Sequence, residues 1–133
     1  MPAVTAALAE VGVPDVASVL ATYVTDRDGL VAYAGDAPPV TDDRPHIEYA
    51  GLTRPGEFAR ALAHILEVRH DPPLVGADDA LLASVRAQRE RLLAFYQAGV
   101  LYYAGRQDEM EPILERVLAE DPTNPYYRWF VGG

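Results

Sequence analysis

"RLLAFYQAGVLYYAGRQDEMEPILERVLAEDPTN", Arg91 to Asn124, decides how this chain folds. Leu92, Tyr96, Gly99 and Tyr103 recur at i, i+4, i+7 and i+11, the period of one helical face. Gly105 then supplies a residue that adopts a left-handed backbone freely, the usual way to end a helix. Met110, Ile113, Leu114, Val117 and Leu118 form a second stripe at i, i+3, i+4, i+7 and i+8. "EDPTNP" closes it, because proline cannot continue a helix. Two helices joined by a short turn lie antiparallel, so the stretch predicts a helical hairpin.

This stretch resembles one tetratricopeptide repeat, which is about 34 residues long. Ala98 takes the family's small position, Leu101 stands where an aromatic is usual, and Pro122 falls on the family's proline. Met110 and Val117 are larger than the usual alanines, Ala94 replaces an aromatic, and Pro112 falls near the start of the second helix. "PYYRWFVGG" then matches the opening of a second repeat, with Val131 and Gly132 at the usual Leu-Gly. About three repeats make an independent array, so one and a fragment need something else to pack on.

Upstream, the long helix extends back to about Asp79, with Asp78 or Asp79 as its cap and Leu81 and Val85 continuing the seam. The polar "RAQRER" interrupts that seam and reads either as a solvated face or as a break between two helices. "HDPPLVGADD" is a linker. Phe58, Leu62, Ile65, Leu66 and Arg69 make another helical stripe, one that ends in a charge.

The N-terminal third holds three short helical pieces. "PAVTAALAE" is stopped by Gly12. "PDVASVLATYV" starts with Pro14 in its first turn and lines up Val16, Val19, Leu20 and Tyr23. "DRDGLVAYAG" has Thr25 as N-cap and Gly35 as its stop. Such short helices are unstable alone and must pack on something. Between them and the later helices lies the Pro-rich Asp36–Tyr49, whose "HIEYA" alternates like one short strand. No second strand is legible, so its partner belongs to another chain or to further sequence. The fold expected is mostly α: short N-terminal helices, one extended Pro-rich segment, then antiparallel helices ending in the repeat-like hairpin. Residues 1–51 and 52–133 are read as its two parts.

Residues 4–51 resemble the segment that closes the aminopropyltransferase-like region of bacterial spermidine synthase-like proteins. The resemblance rests on the short helices, then Thr41-Asp42-Asp43-Arg44-Pro45, then Ile47-Glu48-Tyr49. It implies a cytoplasmic tail of such a protein, some of which carry membrane helices ahead of the catalytic region, and not the enzyme. An aminopropyltransferase needs a Rossmann-like unit with a glycine-rich turn, and this chain has no G-x-G-x-x-G.

Composition narrows the chemistry. Net charge is −9, which argues against nucleic acid and anionic membranes. No run approaches the ~20 apolar residues of a membrane span. The first residues have no basic n-region and carry Glu10, so a signal peptide is not expected. There is no cysteine, which removes disulfides and thiolate chemistry. All basic residues are arginine, so a Schiff-base lysine and a P-loop are excluded.

Asp42 and Asp43 beside Arg44 and Pro45 read as a structural turn before they read as a catalytic pair. His46 and Glu48, with either aspartate, have the residue types of a metal site, but they read as a partly exposed polar strand face before they read as ligands. Glu67-x-x-His70 is one half of a di-iron motif that needs two halves and further glutamates; His70 reads instead as a helix C-terminal histidine. Neither Ser18 nor Ser84 stands in a nucleophile elbow. No catalytic, cofactor or metal residue is therefore assigned.

Tyr103, Tyr126, Tyr127, Trp129 and Phe130 are the candidate interaction surface, although aromatics at this spacing also fill repeat cores. The function expected is a non-catalytic accessory module that contacts protein, either the parent domain or a second copy. The other reading is polyamine or nucleoside binding, for which Asp42, Asp43, Glu48 and Glu67 are the candidates.

Overall fold

The computed structural model describes residues 2–37 and 56–128, and these are mostly helical. In chain order the helices are α1 (Pro2–Glu10), α2 (Val16–Ala21), α3 (Arg27–Ala34), α4 (Glu57–Glu67), α5 (Asp79–Tyr103), α6 (Gln107–Glu120) and α7 (Pro125–Arg128). The expected turn at Asp42–Pro45, the short strand and the 51/52 boundary lie outside the described residues.

α5 is the organising element, and α2, α4 and α6 all pack on it. Asp78 is its N-cap, accepting the Leu81 N–H at 2.7 Å. At its other end Gly105, with φ +74°, turns the chain. The Arg106 N–H returns to the Leu101 carbonyl at 2.9 Å and the Gly105 N–H to that of Tyr102 at 3.0 Å, a Schellman closure. α6 then folds back along α5. Leu92 and Phe95 of α5, Leu114 and Val117 of α6, and Tyr127 of α7 form the buried core, with Tyr96, Met110 and Leu118 packed around it. Pro112 lies inside α6, where it removes one backbone hydrogen bond, yet the helix runs through it. Burial of Leu114 and Val117 holds that helix against α5.

α2 shows a different face from the one the sequence suggests. Val16 and Val19 are exposed, and Ala17, Ser18 and Ala21 are buried. α2 packs directly on α5, and small side chains let two helix backbones approach closely. Pro14 lies before the helix rather than in its first turn. The cap is Asp15, which accepts from both the Ser18 N–H and the Ser18 hydroxyl at 2.7 Å.

α3 is capped by Asp26 and not by Thr25. The Asp26 carboxylate accepts from the Asp28 and Gly29 N–H groups at 3.0 Å. Thr25 is used elsewhere: its hydroxyl donates to the Val68 carbonyl at 2.7 Å. Asp15 and Asp26 are both held below the usual carboxylate range. For Asp15 the main cause is the Ser18 hydroxyl; for Asp26 it is the Gly29 N–H, then the His70 side chain. A depressed carboxylate stabilises the fold above its unfolded pKa of about 3.9, and that contribution is lost as pH falls through the lower folded value. The urea midpoint is therefore expected to decline below about pH 4. Asp26→Asn should flatten that decline, and an unchanged slope in this variant would remove Asp26 from it.

The loop after α1 meets the turn before α7 at Gly12. Its φ of +83° suits glycine, and an added Cβ would lie 2.4 Å from Asn124 Oδ1. Asn124 cannot easily give way. Its Oδ1 caps α7 through the Tyr126 N–H at 3.0 Å, and its Nδ2 donates to the Gly12 carbonyl at 3.3 Å.

Candidate functional site

Two arrangements stand out: a stitched pair of loops centred on Arg89, and an open aromatic groove.

The polar "RAQRER" is neither solvated throughout nor a break. α5 is continuous across it, and Arg89 is buried. Arg89 falls four residues after Val85 and three before Leu92, so it occupies the seam itself. Its guanidinium donates to the Tyr23 carbonyl through Nη1 and to the His70 carbonyl through Nη2, the latter at 2.6 Å. Nε lies 3.3 Å from the Asp71 carboxylate but makes no hydrogen bond. Asp71 is almost fully exposed, so that ion pair contributes little.

The same two loops are joined at three further points. Thr25 reaches Val68, as above. The His70 N–H donates to the Val24 carbonyl at 3.0 Å. His70 Nδ1 lies 2.7 Å from the Asp26 carboxylate. His70 thus pairs with the α3 cap and does not serve the end of α4, as the sequence suggested. α4 stops at Glu67, and Arg69 closes it by donating to the Leu66 carbonyl. Glu67 pairs with His64 at 3.3 Å, so Glu67 and His70 share no common centre. Among the described residues no three potential ligands gather around a metal position.

The groove is built on one face of α5. Phe95, Gly99 and Tyr103 follow at i, i+4 and i+8, with Tyr96 beside them. Phe58 and Leu62 of α4 form one wall. Pro125 and Tyr126 of α7 form the other, and Glu10 and Val11 at the end of α1 close the rim. The volume is about 570 Å³. The rings of Phe58 and Tyr103 meet edge to face, with centroids 4.6 Å apart. Phe95 touches Tyr126 at 5.0 Å and Tyr127 at 5.1 Å. Gly99 forms the floor, and a Cβ there would lie 3.6 Å from Leu62, an ordinary contact.

Tyr96 sits between this groove and a smaller cavity of about 270 Å³ next to α2. Burial, reinforced by Tyr126, pushes its phenol up to about 12. A phenol whose pKa is raised by folding contributes stability below its unfolded value of about 10 and loses it as pH climbs through 12. Burial pushes the Tyr127 phenol up as well, so absorbance titration at the phenolate band should show a late component that shrinks by one tyrosine in Tyr96→Phe. Loss of no late component in that variant would assign the shift elsewhere.

Of the sequence candidates, Tyr103 and Tyr126 are exposed at this groove. Tyr127 is buried in the core, as its contact with Phe95 requires, and is not available as surface. Trp129, Phe130, Asp42, Asp43, Arg44, Pro45, His46 and Glu48 lie outside the described residues. The sequence reading missed Arg89, Asn124 and Gly29. Only Arg89 left a signal, a charge standing at a seam position.

Comparison with protein-family models, with curated proteins and with solved structures returns no match.

Proposed function

We propose that the chain is a non-catalytic accessory module whose short N-terminal helices complete a protein partner. The partner is a larger parent domain or a second copy. The observation that carries this reading is the outer surface of those helices. Val4 and Leu8 of α1, Val16 and Val19 of α2, and Leu30, Val31 and Tyr33 of α3 are all exposed. Their exposures reach 65% at Val16 and 61% at Val31. Water-facing valines and leucines on three successive helices indicate a surface covered by protein. The resemblance of residues 4–51 to the closing segment of aminopropyltransferase-like regions supports a parent domain as that cover. The tetratricopeptide-like hairpin of α5 and α6 supports a helical interaction module. No described helix is long and apolar enough to cross a membrane.

The test is light scattering coupled to size exclusion, with immunoblotting of a native extract for chains larger than 14.5 kDa. The chain should self-associate at tens of micromolar, or the antibody should detect a longer polypeptide. Val16→Glu with Val31→Glu should abolish association while leaving helical circular dichroism intact. A free-standing chain that stays monomeric, with or without the substitutions, would refute the proposal.

The polyamine or nucleoside reading draws less support. Of its candidate acids only Glu67 is described, and it is committed to His64.

A further inference from the structure

We propose that the groove of α4, α5 and α7 is a binding site for a small organic cation with an aromatic or alkyl body. This does not rest on the accessory reading, which concerns the outer faces of α1 to α3.

A cleft of about 570 Å³ falls within the ~300–1,000 Å³ typical of small-molecule sites. Its described lining is apolar and aromatic, with five rings: Phe58, Phe95, Tyr96, Tyr103 and Tyr126. Aromatic faces carry negative quadrupole charge and attract cations. Among the described residues of the lining Glu10 is the only charged one, and it pairs with no described residue. None of the described lining residues is an arginine that could receive an anion. The chain's net charge of −9 adds a field of the same sign. An occupant therefore gains from one positive group beside Glu10 and an apolar body over Gly99. A polyamine fits poorly, because its further ammonium groups would be desolvated against apolar walls without partners.

Isothermal titration of the full chain at pH 7 with three probes of equal apolar body tests this. The probes are 4-phenylbutylamine, 4-phenylbutan-1-ol and 5-phenylvalerate. The amine is expected to bind with a dissociation constant of about a millimolar or below, in keeping with its few heavy atoms. It should bind roughly tenfold tighter than the alcohol, and the carboxylate should give no heat. Glu10→Gln, at an exposed position, should bring the amine to the alcohol's affinity. Gly99→Leu, which fills the floor, should abolish binding of both. Tyr103→Ala should weaken the amine at least about threefold with the helical signal retained, which covers the case that Gly99→Leu fails to fold. Three probes binding alike, amine binding unmoved by Glu10→Gln, or no binding of any probe would overturn the proposal.

Discussion

Arg89→Ala is expected to cost about 3–5 kcal/mol of folding stability, a large fraction of what a domain of this size possesses. The guanidinium holds the Tyr23 and His70 carbonyls, which lie on two loops 47 residues apart in sequence. A hydrogen bond to a charged donor contributes roughly 1.5–3 kcal/mol, and truncation leaves both carbonyls unpartnered beside a cavity. The urea midpoint should fall by about 2 M, taking a slope of about 2 kcal/mol/M. Arg89→Lys should recover less than half of the loss, because a single ammonium cannot reproduce a planar fork that reaches two acceptors. A midpoint within about 0.5 M of the parent protein for Arg89→Ala would show that the loops are held by their other contacts.

Gly29→Ala should destabilise by about 2–3 kcal/mol, against the ordinary trend for a helix interior. Replacing glycine by alanine in a helix normally gains about 1 kcal/mol. Here the added Cβ would lie 1.8 Å from the Thr25 hydroxyl and 2.5 Å from the Val68 carbonyl. The second neighbour is backbone and belongs to the loop that Thr25 holds at 2.7 Å, so α3 would have to separate from it. Gly99→Ala is the matched control, since its Cβ meets only Leu62 at 3.6 Å and should gain about 0.5–1 kcal/mol. Thr25→Ala should cost about 1 kcal/mol by itself, and combined with Gly29→Ala it should cost less than the two losses added. Equal effects of alanine at 29 and 99 would mean that the close approach of α3 to Val68 does not constrain the fold.

The helical character, the two ends of α5 and the turn at Gly105 were legible in the sequence, whereas its continuity across "RAQRER" was left open. Each is set by neighbours within a turn or two: apolar residues at helical spacing, an aspartate ahead of Asp79, a glycine able to adopt φ +74°. The face that α2 buries was not legible, because hydrophobicity favours Val16 and Val19 whereas packing on α5 selects the smaller Ala17, Ser18 and Ala21. The cap of α3 was missed by one residue. Thr25 and Asp26 both have capping side chains, and only the position of Val68 assigns Thr25 to another bond. His70 had a local reading, a helix-end histidine, and Arg89 lay in a polar stretch read as solvated or as a break; distant partners overrode both.

Local periodicity therefore determined which residues are helical and where α5 and α6 end. The tertiary structure alone decided which polar groups are buried, since burial of Arg89 depends on two carbonyls that come within reach only once α2 and α4 have packed against α5. It also decided that Phe58, Gly99 and Tyr126, from three separate helices, enclose one groove.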